Sequence, residues 1–283
     1  MFDELRRRRE QRQQARKARQ AEPWGRPRLL AMLVGAGLAM AALVVGLGLI
    51  AWYIWTDTPG TAAGGVPAST PVAPQDVASV RDRIAAAPMM SVGREAAFTP
   101  DPAAEPAAPI RVPQARTDLG PADVPTGFPQ TPEGAVGQLA AIERVVLETM
   151  SLSLAQQVHR GWVRPGGPGF GQWEMTRNVQ AFLTAARQGG GEKDLSTLVS
   201  ATPAAAMVKG TDGPGWVVVC VLMDIRAAVT VEARMGYGHC ARMEWIGGRW
   251  QIGTGAAPAT APSTWPGSRL AAQAGWLTWT ERG

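Results

Sequence analysis

The chain has 283 residues, a formal net charge of +5 at pH 7, two cysteines and two histidines. Its first 28 residues hold nine arginines and Lys17 against Asp3, Glu4, Glu10 and Glu22, so the surplus sits there and the rest of the chain is close to neutral. The basic balance therefore gives no argument for specific nucleic-acid contact by a folded domain, and one cysteine pair cannot supply the four ligands of a tetrahedral zinc site.

Residues 1–28 read as a basic cytoplasmic tail. Arg6, Arg7, Arg8, Arg9, Arg12, Arg16, Lys17 and Arg19 suit anionic lipid head groups, at about 1 kcal/mol each near the surface. The sharper reading is docking to an acidic cytoplasmic partner, or weak nucleic-acid contact. Leu29–Trp55 follows, 27 residues without a charge. A hydrocarbon core about 30 Å thick takes roughly 20 helical residues, so this run is long enough to span it with some tilt. Arginine and lysine beside a span resist translocation, which predicts a single-pass cell-membrane protein with its N-terminus in the cytoplasm. Trp52, Tyr53 and Trp55 form the outer interfacial anchor. A cleaved signal peptide would have an apolar core of about 7–15 residues and a small-residue cleavage site, whereas this run is longer and ends in aromatics. Ala31, Gly35 and Ala39 stand four apart, a spacing that lets two helices approach closely and fits a homo-oligomer; the bland reading is that alanine and glycine are simply abundant.

Residues 56–130 read as a Pro/Ala-rich linker. From Asp57 to Gln130 there are 13 prolines and two aromatics, Phe98 and Phe128. Proline removes backbone donors, and so little apolar surface cannot offset chain entropy. Val77, Val80 and Ile84 stand at helical spacing, so a short helix can interrupt it.

Residues 131–256 read as one extracytoplasmic α+β domain. Thr131-Pro132-Glu133 is a helix start, with an N-cap threonine, proline at the first helical position and an acid in the first turn. Val136, Leu139, Ile142/Glu143, Val146 and Met150 continue a 3.6-residue stripe, predicting one helix to about Val158. A Gly/Pro-rich loop spans 162–171. A second helix is predicted over 174–187, with Met175, Val179, Phe182 and Leu183 on one face, and Leu195–Val199 is left between short helix and strand. The period then becomes two. Val217, Val219, Val221, Met223 and Ile225 share one strand face; Cys220, Leu222 and Asp224 share the other. Val229, Val231, Ala233, Met235, Tyr237, Ala241, Met243 and Trp245 alternate likewise. That stretch is long for one strand, so Gly236 and Gly238 are read as a bulge, a bend or a break. Gly247-Gly248 is a two-residue hairpin turn into Arg249–Gly253. Residues 257–283 form a tail whose Trp265, Trp276 and Trp279 pack back on the domain or on a partner.

Candidate chemistry is sparse. Cys220 and Cys240 share the more polar face of neighbouring strands in an oxidising compartment, which favours a cross-strand disulfide; two unpaired core thiols and a reactive pair are the other readings. His239 points away from Cys240, and His159 reads as a surface or satisfied histidine. Gly166–Gly171 lacks the lysine and serine or threonine of a phosphate loop. Asp224 and Arg226 share a strand face and read as a surface ion pair. The inward residues named for the sheet are apolar, so no catalytic residue, cofactor or metal is assigned.

The layout of basic tail, span, spacer, helices and curved sheet resembles the bitopic scaffold subunits of type IV secretion and conjugation channels. The strand Gly248-Arg249-Trp250-Gln251-Ile252 is similar to the last strand of their outer domains. Thr131-Pro132-Glu133-Gly134-Ala135-Val136 and Cys240-Ala241-Arg242-Met243-Glu244-Trp245 look like segments of membrane proteins in actinobacterial mobile elements. The resemblance covers about 131–256. It implies a nuclear-transport-factor-two-like (cystatin-like) domain, with two or three helices on a curved antiparallel sheet. It also implies a non-enzymatic scaffold contacting lipids and other subunits of a membrane-spanning apparatus. The alternative is a membrane-anchored regulatory or ligand-sensing module, which would show an enclosed pocket where a scaffold shows a flat apolar patch near the tail.

Overall fold

The computed structural model describes residues 79–116, 118–228 and 232–282. The basic tail, the Leu29–Trp55 run and its aromatics Trp52, Tyr53 and Trp55 lie outside the described residues. Among those described, no helix is long and apolar enough to cross a membrane.

The helical layer begins where Thr131 caps a helix by accepting from the Gly134 N–H at 3.0 Å, giving α2, Pro132–Thr149. The single helix expected to about Val158 is in fact two. Met150 takes a left-handed conformation (φ 44°), and Ser151 caps a fresh start, α3, Leu152–Trp162. Trp162 lies in this helix, outside the loop. After it comes α4, Glu174–Ala185. The short helix foreseen near Ile84 is α1, Val80–Ala86, capped by Ser79. A five-residue α5, Arg269–Gln273, lies near the C-terminus.

Among the described residues six strands form a curled, mostly antiparallel sheet. They are β1 (Ile110–Pro113), β2 (Leu198–Thr211), β3 (Trp216–Ala228), β4 (Glu232–Ile246), β5 (Arg249–Ile252) and β6 (Leu277–Arg282), in the order β1-β6-β2-β3-β4-β5. Only β1 and β6 run parallel. Gly247 and Gly248, both at positive φ, close the β4–β5 hairpin.

Three further expectations need correction. The stretch Leu195–Val199, open between short helix and strand, runs into strand β2, whose remaining length to Thr211 the sequence does not signal. The strand is alanine-rich, carries Pro203 beside a register shift, and is held extended by pairing with β3 and β6. Gly236 and Gly238 break nothing, since β4 pairs with β3 without a register shift. They are glycines because the C-terminal segment crosses there: a side chain at 236 would meet the Thr264 carbonyl, and one at 238 the Pro262 carbonyl. The described residues of the linker of 56–130, from Ser79 on, and of the tail of 257–283 are built into the same compact unit as the domain between them. Their strands β1 and β6 extend the sheet, and Val112, Val124 and Trp276 are buried.

The sheet is covered on both faces. On the inner face, α2, α3 and α4 pack their stripes against Val217, Val219, Val221 and Met223. On the outer face, α1 sets Ile84 and Ala85 on Trp216 and Val218. Arg242 binds Asp82 at 2.7 Å and Lys209 donates to the Ala85 carbonyl at 2.7 Å. Next to them Met89, Ala261, Ala271 and Trp276 cover Cys220 and Cys240, which stand directly opposite in register and are joined by a disulfide. Double coverage is why Trp216–Met223 is buried at every position.

Candidate binding cleft and its buried polar floor

Strand β5 pairs only with Met243–Ile246, so most of β4 is left with an edge. The C-terminal segment satisfies part of it, as the Gly238 N–H donates to Ser263 Oγ at 3.0 Å. A cleft of about 1330 Å³ opens here. Ile225, Met235 and Tyr237 reach it from the sheet; Asn178, Ala181 and Phe182 reach it from α4. Segments 86–98 and 259–263 close the other side. Its lining is apolar and sulfur-rich, with Met89, Met90, Met150 and Met235 beside Phe98 and Phe182.

Beside the cleft lies a buried polar cluster. The alternation of β4 turns Tyr237 and His239 to the inner face, and the helical stripe of α2 turns Glu143 toward them. Glu143 Oε1 lies 2.7 Å from His239 Nδ1, and both side chains are buried. The other Glu143 oxygen is buried with no hydrogen-bond partner. The Tyr237 hydroxyl donates to Glu174 Oε1 at 2.7 Å, and Glu174 Oε2 lies 3.9 Å from His239 Nε2. The Tyr237 and His239 rings stack, with centroids 6.2 Å apart.

Burial raises the Glu143 carboxyl above its ordinary value, and pairing with His239 only partly opposes this. Burial alone would lower His239, but its bond to Glu143 and the two nearby carboxylates outweigh that and raise it. Tyr237 is pushed well up, first by burial and then by Glu174 and Glu143. An acid–base pair therefore stands on the inner face, where the sequence pattern points only to apolar side chains. Of those, Met235, Met243 and Trp245 do face inward, while Val229 and Val231 lie outside the described residues. The missed signal was His239 itself, which stands between Tyr237 and Ala241 in the same period-two series.

The remaining charged candidates are structural. Asp224 takes a two-pronged bond from Arg234, at 2.7 and 2.8 Å, and Arg226 stands further off at 3.6 Å. The Arg234 guanidinium also lies over Trp265, 4.4 Å from its ring centre. His159 bonds the Pro168 carbonyl at 2.8 Å between Phe170 and Trp173. Among the described residues no group of three or more His, Cys, Asp or Glu is placed to hold a metal ion.

Comparison of the chain with protein-family models, with curated proteins and with solved structures finds no match in any of the three.

Proposed function

We propose that the chain is a membrane-anchored, extracytoplasmic binding module whose α+β domain follows the nuclear-transport-factor-two-like plan. The apolar cleft beside Tyr237 carries this reading. Pockets for drug-sized ligands are typically about 300–1,000 Å³ and mostly apolar with a few polar groups, and this cleft exceeds that range with a comparable lining. The flat apolar patch that a scaffold would present near the tail has no support in the tryptophans, since Trp276 is buried and Trp265 is stacked under Arg234. The module is non-enzymatic on this reading: His239 stacks on Tyr237 and is bonded to Glu143, and neither His239 nor Glu143 is among the described residues that line the cleft.

The test uses the full chain in lipid discs and a neutral polarity-sensitive dye, Nile red. Saturable binding beyond that of empty discs is expected, and Phe182→Glu should abolish it in protein that remains folded. Absence of saturable binding, or its survival in that variant, overturns the reading.

A scaffold role in a type IV-like apparatus is the second reading, favoured by the layout of basic tail and uncharged 27-residue run. Capture of the intact protein from solubilised membranes should then retrieve other channel subunits. Both readings require that a reporter fused after residue 60 be active outside the cytoplasm.

A further inference from the structure

Among the described residues that line the cleft are Arg94, Arg187 and Arg234, and no aspartate or glutamate. Arg234 is committed to Asp224 and Trp265. Arg94 and Arg187 are exposed, and neither guanidinium is joined by a hydrogen bond or ion pair to another described residue. Glu95, the neighbouring carboxylate, folds against Gly93. Two unspent guanidinium groups thus border an apolar trough, an arrangement complementary to a molecule with one long apolar part and one anionic end.

The apolar lining narrows the class further. Met90 and Phe98 are 43% and 45% exposed, which is costly for large apolar side chains with nothing to cover them. Four methionines line the cleft. Their unbranched thioethers adapt to irregular partners, which suits a flexible chain better than a rigid ring system.

Resting on the binding-module reading, we propose that the cleft takes a long-chain carboxylate, its hydrocarbon against Met90, Phe98, Phe182 and Met235 and its head group on Arg94 and Arg187. A carboxylate matches a guanidinium fork with two parallel bonds, and the rim supplies two forks.

The experiment displaces Nile red from the full chain in zwitterionic lipid discs, using palmitate and hexadecanol in parallel. Palmitate should displace the dye at a concentration at least about tenfold below hexadecanol, the difference expected for one charge-assisted pair. Arg94→Gln with Arg187→Gln should erase that preference while dye binding itself persists. Equal displacement by both compounds, or a palmitate preference that survives the double variant, overturns the carboxylate assignment and leaves the cleft reading intact. A dye that fails to bind the unaltered protein overturns both.

Discussion

Glu143 in α2 and His239 in β4, 96 residues apart in sequence, meet at 2.7 Å inside the concave face of the sheet. Each is held above its ordinary value, 4.5 for the carboxyl and 6.5 for the imidazole. The folded pair therefore retains protons that the unfolded chain has released, so its stabilising contribution is full at low pH. It is lost as pH rises past 4.5 toward the raised carboxyl value and past 6.5 toward the raised imidazole value. The Asp82 carboxyl is shifted down, by Ser79 and then Arg242, and acts below that window. Urea midpoints should fall from pH 5 through 6.5 to 8. Glu143→Gln, which keeps a polar partner for His239 without titrating, should flatten the trend. A midpoint that rises over this range contradicts the pairing.

Removing the partner altogether is a separate test. Glu143→Ala leaves His239 buried beside Glu174 with its closest bond gone, at a cost of about 3 kcal/mol or more. His239→Ala together with Glu143→Ala should cost less than the two single changes added, because neither group is then stranded. Additive losses in denaturant unfolding would mean that the two side chains do not depend on each other.

The Cys220–Cys240 bridge links opposed residues of β3 and β4 under Met89 and Trp276. Its effect falls mainly on the unfolded chain, where it closes a loop of 20 residues. Reduction should lower stability by about 2–4 kcal/mol with little change in the folded sheet. The check is a urea midpoint with and without reductant, beside a count of free thiols in denaturant. Two reactive thiols in the untreated protein would contradict the bridge.

What the sequence shows and what it hides divide along physical lines. Local signals read well: the threonine cap at 131, the paired glycines at 247–248 and the alternation through Val217–Met223 each act within a few residues. The break at Met150 was hidden because its neighbours continue the stripe. Most of strand β2 was hidden because alanine has weak strand preference and only β3 and β6 hold it extended. The Pro-rich stretches looked incapable of folding because their own apolar content is low. Indole N–H groups hold them instead, two of them from distant elements and one from within the tail. Trp162 donates to the Pro121 carbonyl, Trp250 to Pro129 and Trp276 to Pro262, all near 2.9–3.0 Å. The Glu143–His239 pair sat in plain view as two half-patterns, a glutamate in a helical stripe and a histidine on an inward strand face. Nothing local says that those two faces meet.

Gly236 tests how the C-terminal segment is seated. The Thr264 carbonyl lies where a β-carbon would go, so Gly236→Ala forces the crossing segment off β4. The expected loss is about 1–3 kcal/mol, in the range of overpacking. Hydrogen exchange should quicken at Gly238, whose N–H depends on Ser263, and around Trp276. Exchange that stays slow at Gly238 would place the segment elsewhere.

Trp162 tests the indole account of the proline-rich region. Its ring is fully buried, Gly120 packs against it, and its N–H donates to the Pro121 carbonyl at 2.9 Å. Trp162→Phe removes that bond and leaves a gap under the 120–124 turn. The lost bond and the gap together should cost about 1–3 kcal/mol. The account makes a sharper demand than destabilisation. The turn around 120–124 should become protease-sensitive before the helices do, because the carbonyl it loses was tied to a residue 41 positions away. Cleavage that begins elsewhere, with residues 118–125 still protected, would mean that the turn is held by its own backbone bonds, such as Gly120 N–H to the Val124 carbonyl at 2.9 Å.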